Sequence, residues 1–359
     1  MTATHRALVR RAPDHTGRTL VDVAQVPTPT LADGDLLVAP VVAGICGTDW
    51  QILRGERPDP SRILGHEGVA RVVAGDGTLQ VGGLVTVNPT HPTDPGFLLG
   101  HNVPGMWSER TVVPAAAVNA GLVLPVPEPL ADPTLVGSLA EPLASTMYGL
   151  EIARSIARPR SLVVWGDGIV GRLAAMLWTR ELPGLRVLRV SRTDASDPVL
   201  PARLRDLPGP VAAVLATPRS GTADALTLID RHVDTELLVD VHGGIRAGLL
   251  PLRSGAVDAA VIRAANCSGM PHIPVHVSLP RPNCAPLHLY GHRGVADRHL
   301  LAAVDLLVGA PSEFAPVLTH VVDLDGAADL INAVLERGTR THGERRVLKS
   351  AIIVDGISP

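Results

Sequence analysis

The segment Gly166-Asp167-Gly168-Ile169-Val170-Gly171 constrains this chain more than any other, because it spaces three glycines as GxGxxG between an apolar run at 161–165 and a helical pattern at 169–182. The first glycine permits a tight turn, the second lets the backbone approach a bound group, and the third lets helix pack closely on strand. The amide groups that open the following helix face outward without intrahelical partners and suit an anion such as a pyrophosphate. A further apolar run at 185–190 completes strand, glycine turn, helix and strand within about 30 residues. Such a βαβ unit needs helices on the faces of its parallel strands. The turn is therefore expected to bind a dinucleotide, the alternative being an ordinary strand-to-helix connection.

Four more apolar runs follow at 211–216, 236–241, 256–262 and 287–290, one more than a simple doubly wound sheet requires. Before the βαβ unit the pattern is different. Short β-type runs at 36–42, 68–73, 84–87 and 111–113 are separated by Gly, Pro and Asp turns, which predicts an irregular β-rich domain up to about residue 126. A helical pattern at 135–153 leads out of it, and the tail carries another helix at 297–308 and a closing strand at 351–354. A length of 359 residues fits two domains, and 46% apolar residues suffice for two cores. The expected class is α/β, a Rossmann doubly wound parallel sheet joined to a β-rich domain.

Composition narrows the partners. Only 2% of the residues are aromatic and the net charge is -3, so neither stacking platforms nor a basic footprint for nucleic acid are present. The three cysteines Cys46, Cys267 and Cys284 cannot build a disulfide framework and suit a reducing, cytoplasmic setting, with Cys267 and Cys284 read as packing residues. The first residues are basic but lack an apolar signal core, and the longest apolar candidate, 161–178, is interrupted by Asp167 and Arg172. No membrane partner is expected, and a small-molecule substrate is.

The strand after the glycine turn ends Leu188-Arg189-Val190-Ser191-Arg192. A carboxylate there would accept from a ribose 2′-hydroxyl, whereas a hydroxyl followed by a guanidinium suits a 2′-phosphate. Ser191 and Arg192 thus favour NADP(H) over NAD(H). The alternative is that Arg192 is a solvated loop residue and Asp194 serves the ribose.

Three separate stretches carry metal-ligating residue types: Gly44-Ile45-Cys46-Gly47-Thr48-Asp49, Gly65-His66-Glu67-Gly68 and Leu139-Ala140-Glu141-Pro142-Leu143. A lone cysteine is most often a small buried hydrophobe, and a lone histidine is more often a core or surface residue than a ligand. Taken together, the thiolate, the imidazole and the carboxylate make a donor set for one zinc with an open position. Asp49 and Glu67 would orient His66 and tune the metal, with Glu67 able to become a ligand itself.

In their order and rough spacing these motifs, with the tail LTHVVDLDGAADLINAVLERG, resemble the zinc-dependent medium-chain dehydrogenase/reductase family over essentially the whole chain. Glu141-Pro142 resembles the polyol and threonine dehydrogenase branch. The resemblance implies a GroES-like catalytic domain over 1–145, completed by 293–359, and a Rossmann domain over 146–292. It implies Cys46, His66 and Glu141 as zinc ligands, Thr48 as the hydroxyl that meets the substrate oxygen, and Ser145 or Thr146 near the nicotinamide. It further implies a homodimer or homotetramer. Residues 88–114 contain no cysteine, so the family's structural zinc is expected to be absent, leaving one catalytic zinc. His91 and His101, in that stretch, are read as loop or pocket residues. Gln51 stands where many relatives carry a proton-passing histidine, and an amide cannot titrate near neutrality.

The expected reaction is hydride transfer between NADP(H) and a secondary alcohol or ketone, with a polyol, cyclitol or sugar-like substrate, in a cleft between the domains. Trp50 and Trp107 are candidates for substrate walls or for core packing, and His292 for the cleft or for a helix cap. Two other readings stand beside this one: transient oxidation in the service of epimerisation or elimination, and a nucleotide-binding protein without turnover.

Overall fold

Ten residues in extended conformation, Leu36–Ile45, form the longest strand, and nearly all of them are buried. A strand covered on both faces reads as a continuous apolar run. It extends three residues beyond the predicted 36–42 and so delivers Gly44, Ile45 and then Cys46 to the end of a sheet. The computed structural model describes residues 3–354 except 76, 78 and 129. The chain divides into two compact units, Met1–Glu141 with Leu300–Pro359, and Pro142–His299.

In the first unit the main sheet runs in the order His320–Asp323, Ser350–Ile353, Leu36–Ile45, Gly68–Ala74, Leu84–Val87 and Val123–Pro125, and Thr111–Val113 also pairs with Leu36–Ile45. All these pairs are antiparallel except the first. The helix Leu324–Arg337 buries Leu324, Ala327, Leu330, Ile331 and Val334, the spacing that places side chains on one helical face. Asp323 caps its start by accepting from the Gly326 amide at 2.8 Å, and Gly338, left-handed at φ 69°, ends it. That face joins Leu36, Val38, Val72 and Trp107 in the core of this unit.

The second unit holds a six-stranded sheet in the order Val277–Arg281, Cys284–Tyr290, Leu237–Asp240, Val211–Leu215, Ser161–Trp165, Arg186–Val190. Every pair is parallel except the hairpin formed by the first two. The surplus apolar run is explained here. Residues 256–262 are not a strand of this sheet: Gly255–Val257 pairs only with Leu250–Leu252, and Asp258 then caps the short helix Ala259–Ala264 through its carboxylate. The antiparallel edge is supplied instead by Val277–Arg281, which contains a proline and alternates half-buried with exposed residues.

The predicted helix at 135–153 runs from Pro133 to Ile156 and contains Pro142. Proline has no amide proton, so the helix lacks one ladder bond directly after Glu141. No single helix among the described residues is long and apolar enough to cross a membrane.

Candidate active site

The short helix Gly47–Leu53 begins where the long strand ends, with Cys46 at its N-cap. Asp49 folds back to accept from the Cys46 amide at 2.8 Å, which fixes the turn that presents the thiol. Thr48 Oγ1 lies 3.9 Å from Cys46 Sγ. His66 comes from the loop before Gly68–Ala74, and its Nδ1 stands 3.7 Å from Asp49 Oδ1, a charge contact rather than a hydrogen bond. Cys46, His66 and Glu67 each offer a donor atom, all within 4.8 Å of one another.

Glu67 is held from the far end of the chain. Its Oε1 pairs with the ammonium of Lys349, which is fully buried and also donates to the Ile45 carbonyl at 3.3 Å. A Cβ on residue 44 would lie 2.8 Å from the Glu67 carboxyl carbon, so glycine at that position is what admits the carboxylate. His101 flanks the group: its ring centroid is 5.0 Å from that of His66, and its Nδ1 lies 3.1 Å from Asp59 Oδ1. His91, by contrast, accepts amide protons from its own loop.

The electrostatics fit a cation. Burial alone would strip the proton from His66, but the neighbouring Cys46 thiol and Asp49 carboxylate outweigh it, and the imidazole holds its proton well above its ordinary range. Burial would raise the Asp49 carboxyl, yet His66 and the Cys46 amide bring it below the usual value. Burial raises the Glu67 carboxyl, Lys349 and His66 pull against that, and Glu141 adds to it. Asp49 Oδ1, His66 Nδ1 and Glu67 Oε2 are buried without a hydrogen-bond partner. Buried acceptors are normally satisfied. A thiolate, an imidazole and a carboxylate form a donor set suited to zinc, and a field that keeps an extra proton on the imidazole also favours a divalent cation in that proton's place.

The carboxylate that meets Cys46 and His66 most closely is Glu67. Glu141 is close enough for Glu67 to respond to its charge but is not in the group that meets within 4.8 Å. Glu67 follows His66 directly in the chain and therefore shares the site with it. Trp107 is fully buried, donates to the Gly44 carbonyl at 3.0 Å and packs against Gly65, which makes it a core residue. Trp50 is also buried, with the Arg340 guanidinium carbon 5.5 Å from its ring centroid. Among the described residues no cluster of cysteines exists beyond this site, and all three cysteines are unpaired.

In the nucleotide-binding unit each glycine of the turn has its own reason. A Cβ at Gly166, whose φ is 121°, would meet the Ala216 carbonyl at 2.2 Å, and one at Gly171 would meet the Gly166 carbonyl at 2.1 Å. Around Gly168, the N-cap of the helix Ile169–Glu181, there is open space, as close approach of a ligand requires. Ile169 is buried at the first helical position, with Val170 following it at the exposed start of the helix.

Beside the turn, a groove of about 360 Å³ is lined by Gly166, Asp167, Arg172, Arg189, Ser191 and Asp194. Asp167 pairs with Arg189 at 2.9 Å and Arg172 at 3.3 Å, and Asp194 accepts from the Ser191 amide at 2.7 Å. Arg192 is exposed and does not line this groove. Of the two hydroxyls expected near the nicotinamide, Thr146 is buried on the Leu143 carbonyl, while the partly exposed Ser145 lies 3.1 Å from His242 Nε2.

Sequence reasoning missed His242. It follows the strand Leu237–Asp240, and its Nδ1 lies 3.4 Å from Asp240 Oδ2. Asp240, His242 and His292 form a second group of donors within 4.8 Å. His292 donates from Nδ1 to the Gly294 carbonyl at 2.8 Å, which leaves Nε2 as a buried lone pair. Burial, only partly opposed by Asp240, lowers its pKa from 6.5 to about 4. The unfolded chain therefore binds this proton first as pH falls, and stability from the neutral ring, complete above pH 6.5, is lost down to pH 4. The loss is on the order of 3 kcal/mol. Urea unfolding at pH 7 and pH 4.5 should show a smaller acid-induced loss in His292→Gln than in the parent chain, and equal losses would contradict the assignment.

Comparison with known proteins places this geometry. Residues 32–127 match the family described as Alcohol dehydrogenase GroES-like domain. Glucose 1-dehydrogenase of Thermoproteus tenax is 32% identical over 192 residues, 47% of this chain and 52% of that protein. D-altritol 5-dehydrogenase of Agrobacterium fabrum is 29% identical over 178 residues, 43% of this chain and 50% of that one. The chain thus spans about half the length of these relatives. The fold matches across its whole length: galactitol-1-phosphate dehydrogenase from Escherichia coli superposes with a TM-score of 0.69 at 16% identity, covering 97% of this chain and 99% of that one.

Residues 32–127 thus match a GroES-like domain of the alcohol dehydrogenases, carry the Cys46/His66/Glu67 donor group, and share the chain with a Rossmann-like sheet and its glycine turn. Over somewhat less than half of its length the chain is similar in sequence to sugar and polyol dehydrogenases.

Proposed function

We propose that this chain is a zinc-dependent oxidoreductase that moves a hydride between NADP(H) and a secondary alcohol or ketone of a polyol, cyclitol or sugar-like substrate. The observation that carries this reading is the convergence of Cys46, His66 and Glu67, with buried acceptors lacking partners, at the end of a sheet. Cys46, His66 and a carboxylate, either Glu67 or Glu141, would hold the metal. Bound zinc supplies Lewis acidity, lowering the pKa of a hydroxyl or polarising a carbonyl.

The protein's own groups do the rest. Asp49 fixes His66 and the thiol-bearing turn, and Lys349 fixes Glu67. Thr48, beside the thiol, takes the substrate proton or returns it. Gln51 cannot carry that proton onward at neutral pH, so its route is through water or a coenzyme hydroxyl. The open helix start at Gly168 takes the pyrophosphate, and Ser145 meets the nicotinamide end.

Metal analysis is expected to find about one zinc per chain, and a chelator should abolish coenzyme-linked turnover of a polyol panel. Zinc-free protein that still turns over would defeat the reading. Preference for NADP(H) is supported by Ser191 with Arg189 and Arg172 in the groove. A bidentate guanidinium–phosphate pair is a strong contact, so Arg189→Ala should raise KM for NADP(H) about 30-fold and that for NAD(H) less than about 3-fold. Arg192→Ala should change neither by as much. An equal effect of Arg189→Ala on both coenzymes would remove the stated preference.

A further inference from the structure

Along the helix Gly47–Leu53 the N-cap Cys46, Trp50 and the C-cap Arg54 follow one another at intervals of four residues, and backbone bonds of 3.5 and 3.1 Å link them in turn. That spacing stacks side chains along one side of a helix. Onto the middle of this stripe comes Arg340, from the turn before the hairpin Thr341–His342 with Arg345–Arg346. Its backbone carbonyl is fixed by the Val347 amide at 2.9 Å, and its guanidinium carbon stands 5.5 Å from the Trp50 ring centroid. A guanidinium laid on an indole keeps its edge donors free in a fixed fork.

Arg340 differs from Arg57 and Arg10, two other partly buried arginines of this unit. Arg57 lies 2.9 Å from Asp59, and Arg10 donates to the carbonyls of Asp59 and Ser61 at 2.8 Å. No such partner faces the Arg340 guanidinium among the described residues. Burial first, then Arg54 and Arg346, push its pKa down to about 10, against which Cys46 and Glu56 act. It is therefore a half-buried cation at neutral pH, and Arg54 lies one helical turn beyond the ring it covers. A half-buried guanidinium held in place with no counter-charge on it among the described residues leaves its fork of donors open to an anion.

We propose that Arg340 and Arg54 form a subsite for a phosphate group carried by the substrate, which makes the substrate a phosphorylated polyol or sugar. The assignment of the phosphate to a substrate rests on the dehydrogenase reading above. Cys46 and Arg54 are two helical turns apart, about 12 Å along the axis, so an anion gripped by both guanidiniums stands a short carbon chain away from the thiol. On that same reading the coenzyme pyrophosphate is taken at the glycine turn, so this anion would be a separate one.

The test uses the zinc-loaded full chain without coenzyme and titrates inorganic phosphate, glucitol and glucitol 6-phosphate by calorimetry. Glucitol 6-phosphate should bind at least about 30-fold more tightly than glucitol. That advantage should collapse in Arg340→Met, fall about tenfold in Arg54→Gln, and return in part in Arg340→Lys. Equal binding of the two polyols, or an advantage that survives both Arg340→Met and Arg54→Gln, overturns the proposal. So does a result in which the variants raise KM for NADP(H) and leave the polyol-phosphate ratio intact, because the anion would then belong to the coenzyme. Binding is read apart from turnover. A polyol phosphate that binds through Arg340 but is oxidised with neither coenzyme leaves the subsite standing and defeats the dehydrogenase reading, whereas oxidation of free polyols with no phosphate advantage does the reverse.

Discussion

Cys46→Ala is expected to lose the bound metal and to lower kcat/KM by a factor of about 10⁴ or more, because three protein donors are the minimum for a catalytic zinc and the thiolate is the softest of them. The fold should survive. Cys46 is only half-buried, and the turn it occupies is held by the bond from its backbone amide to Asp49, which alanine retains. Metal content, turnover and circular dichroism measured on one preparation give the answer. A variant that keeps both zinc and activity would show that the thiol is a packing residue after all.

Lys349→Met should unfold at a markedly lower temperature. The ammonium is the counter-charge of a carboxylate that is itself 2% exposed, and removing one partner of a buried pair costs about 3–5 kcal/mol. For a unit of this size that corresponds to a Tm lower by roughly 10 °C. The double variant Lys349→Met with Glu67→Gln should recover most of the loss, since the uncompensated charge goes with it. If the double variant is no more stable than Lys349→Met, the pair does not carry the energy assigned to it.

Parts of this site were legible in the sequence because local pattern and local chemistry coincide there. The strand pattern at 36–42, the glycine turn, and the Cys46 and His66 segments each declare themselves within a few residues. Lys349 did not, because its partner lies 282 positions away, although it is the only lysine of the chain and its flanks Val347-Leu348 and Ala351-Ile352 are apolar. The short run 256–262 satisfied a strand pattern as well as a helix pattern, and the deciding signal was Asp258 at the N-cap. Sequence reasoning takes the residues just past the strand end, Ser191 and Arg192, whereas the groove beside the turn is lined by Arg189 and Ser191. Arg189 lies within the strand and Arg192 in the turn after it, so counting from the glycine turn does not say which of the two guanidiniums faces the groove. Arg340 carried no signal, since its significance lies in a tryptophan nearly three hundred residues earlier in the chain.

The strand Arg186–Val190 is the last of its sheet, with no described strand beyond it. Its outer rim of peptide groups is thus a template onto which another extended chain could add, and the bulky cations Arg186 and Arg189 discourage that. On the proposed reading, Arg189 would thus answer to two demands at once, colloidal behaviour and coenzyme choice. Attempts to re-engineer this groove toward the unphosphorylated nucleotide by neutralising that residue should be watched for self-association before any change in specificity is credited.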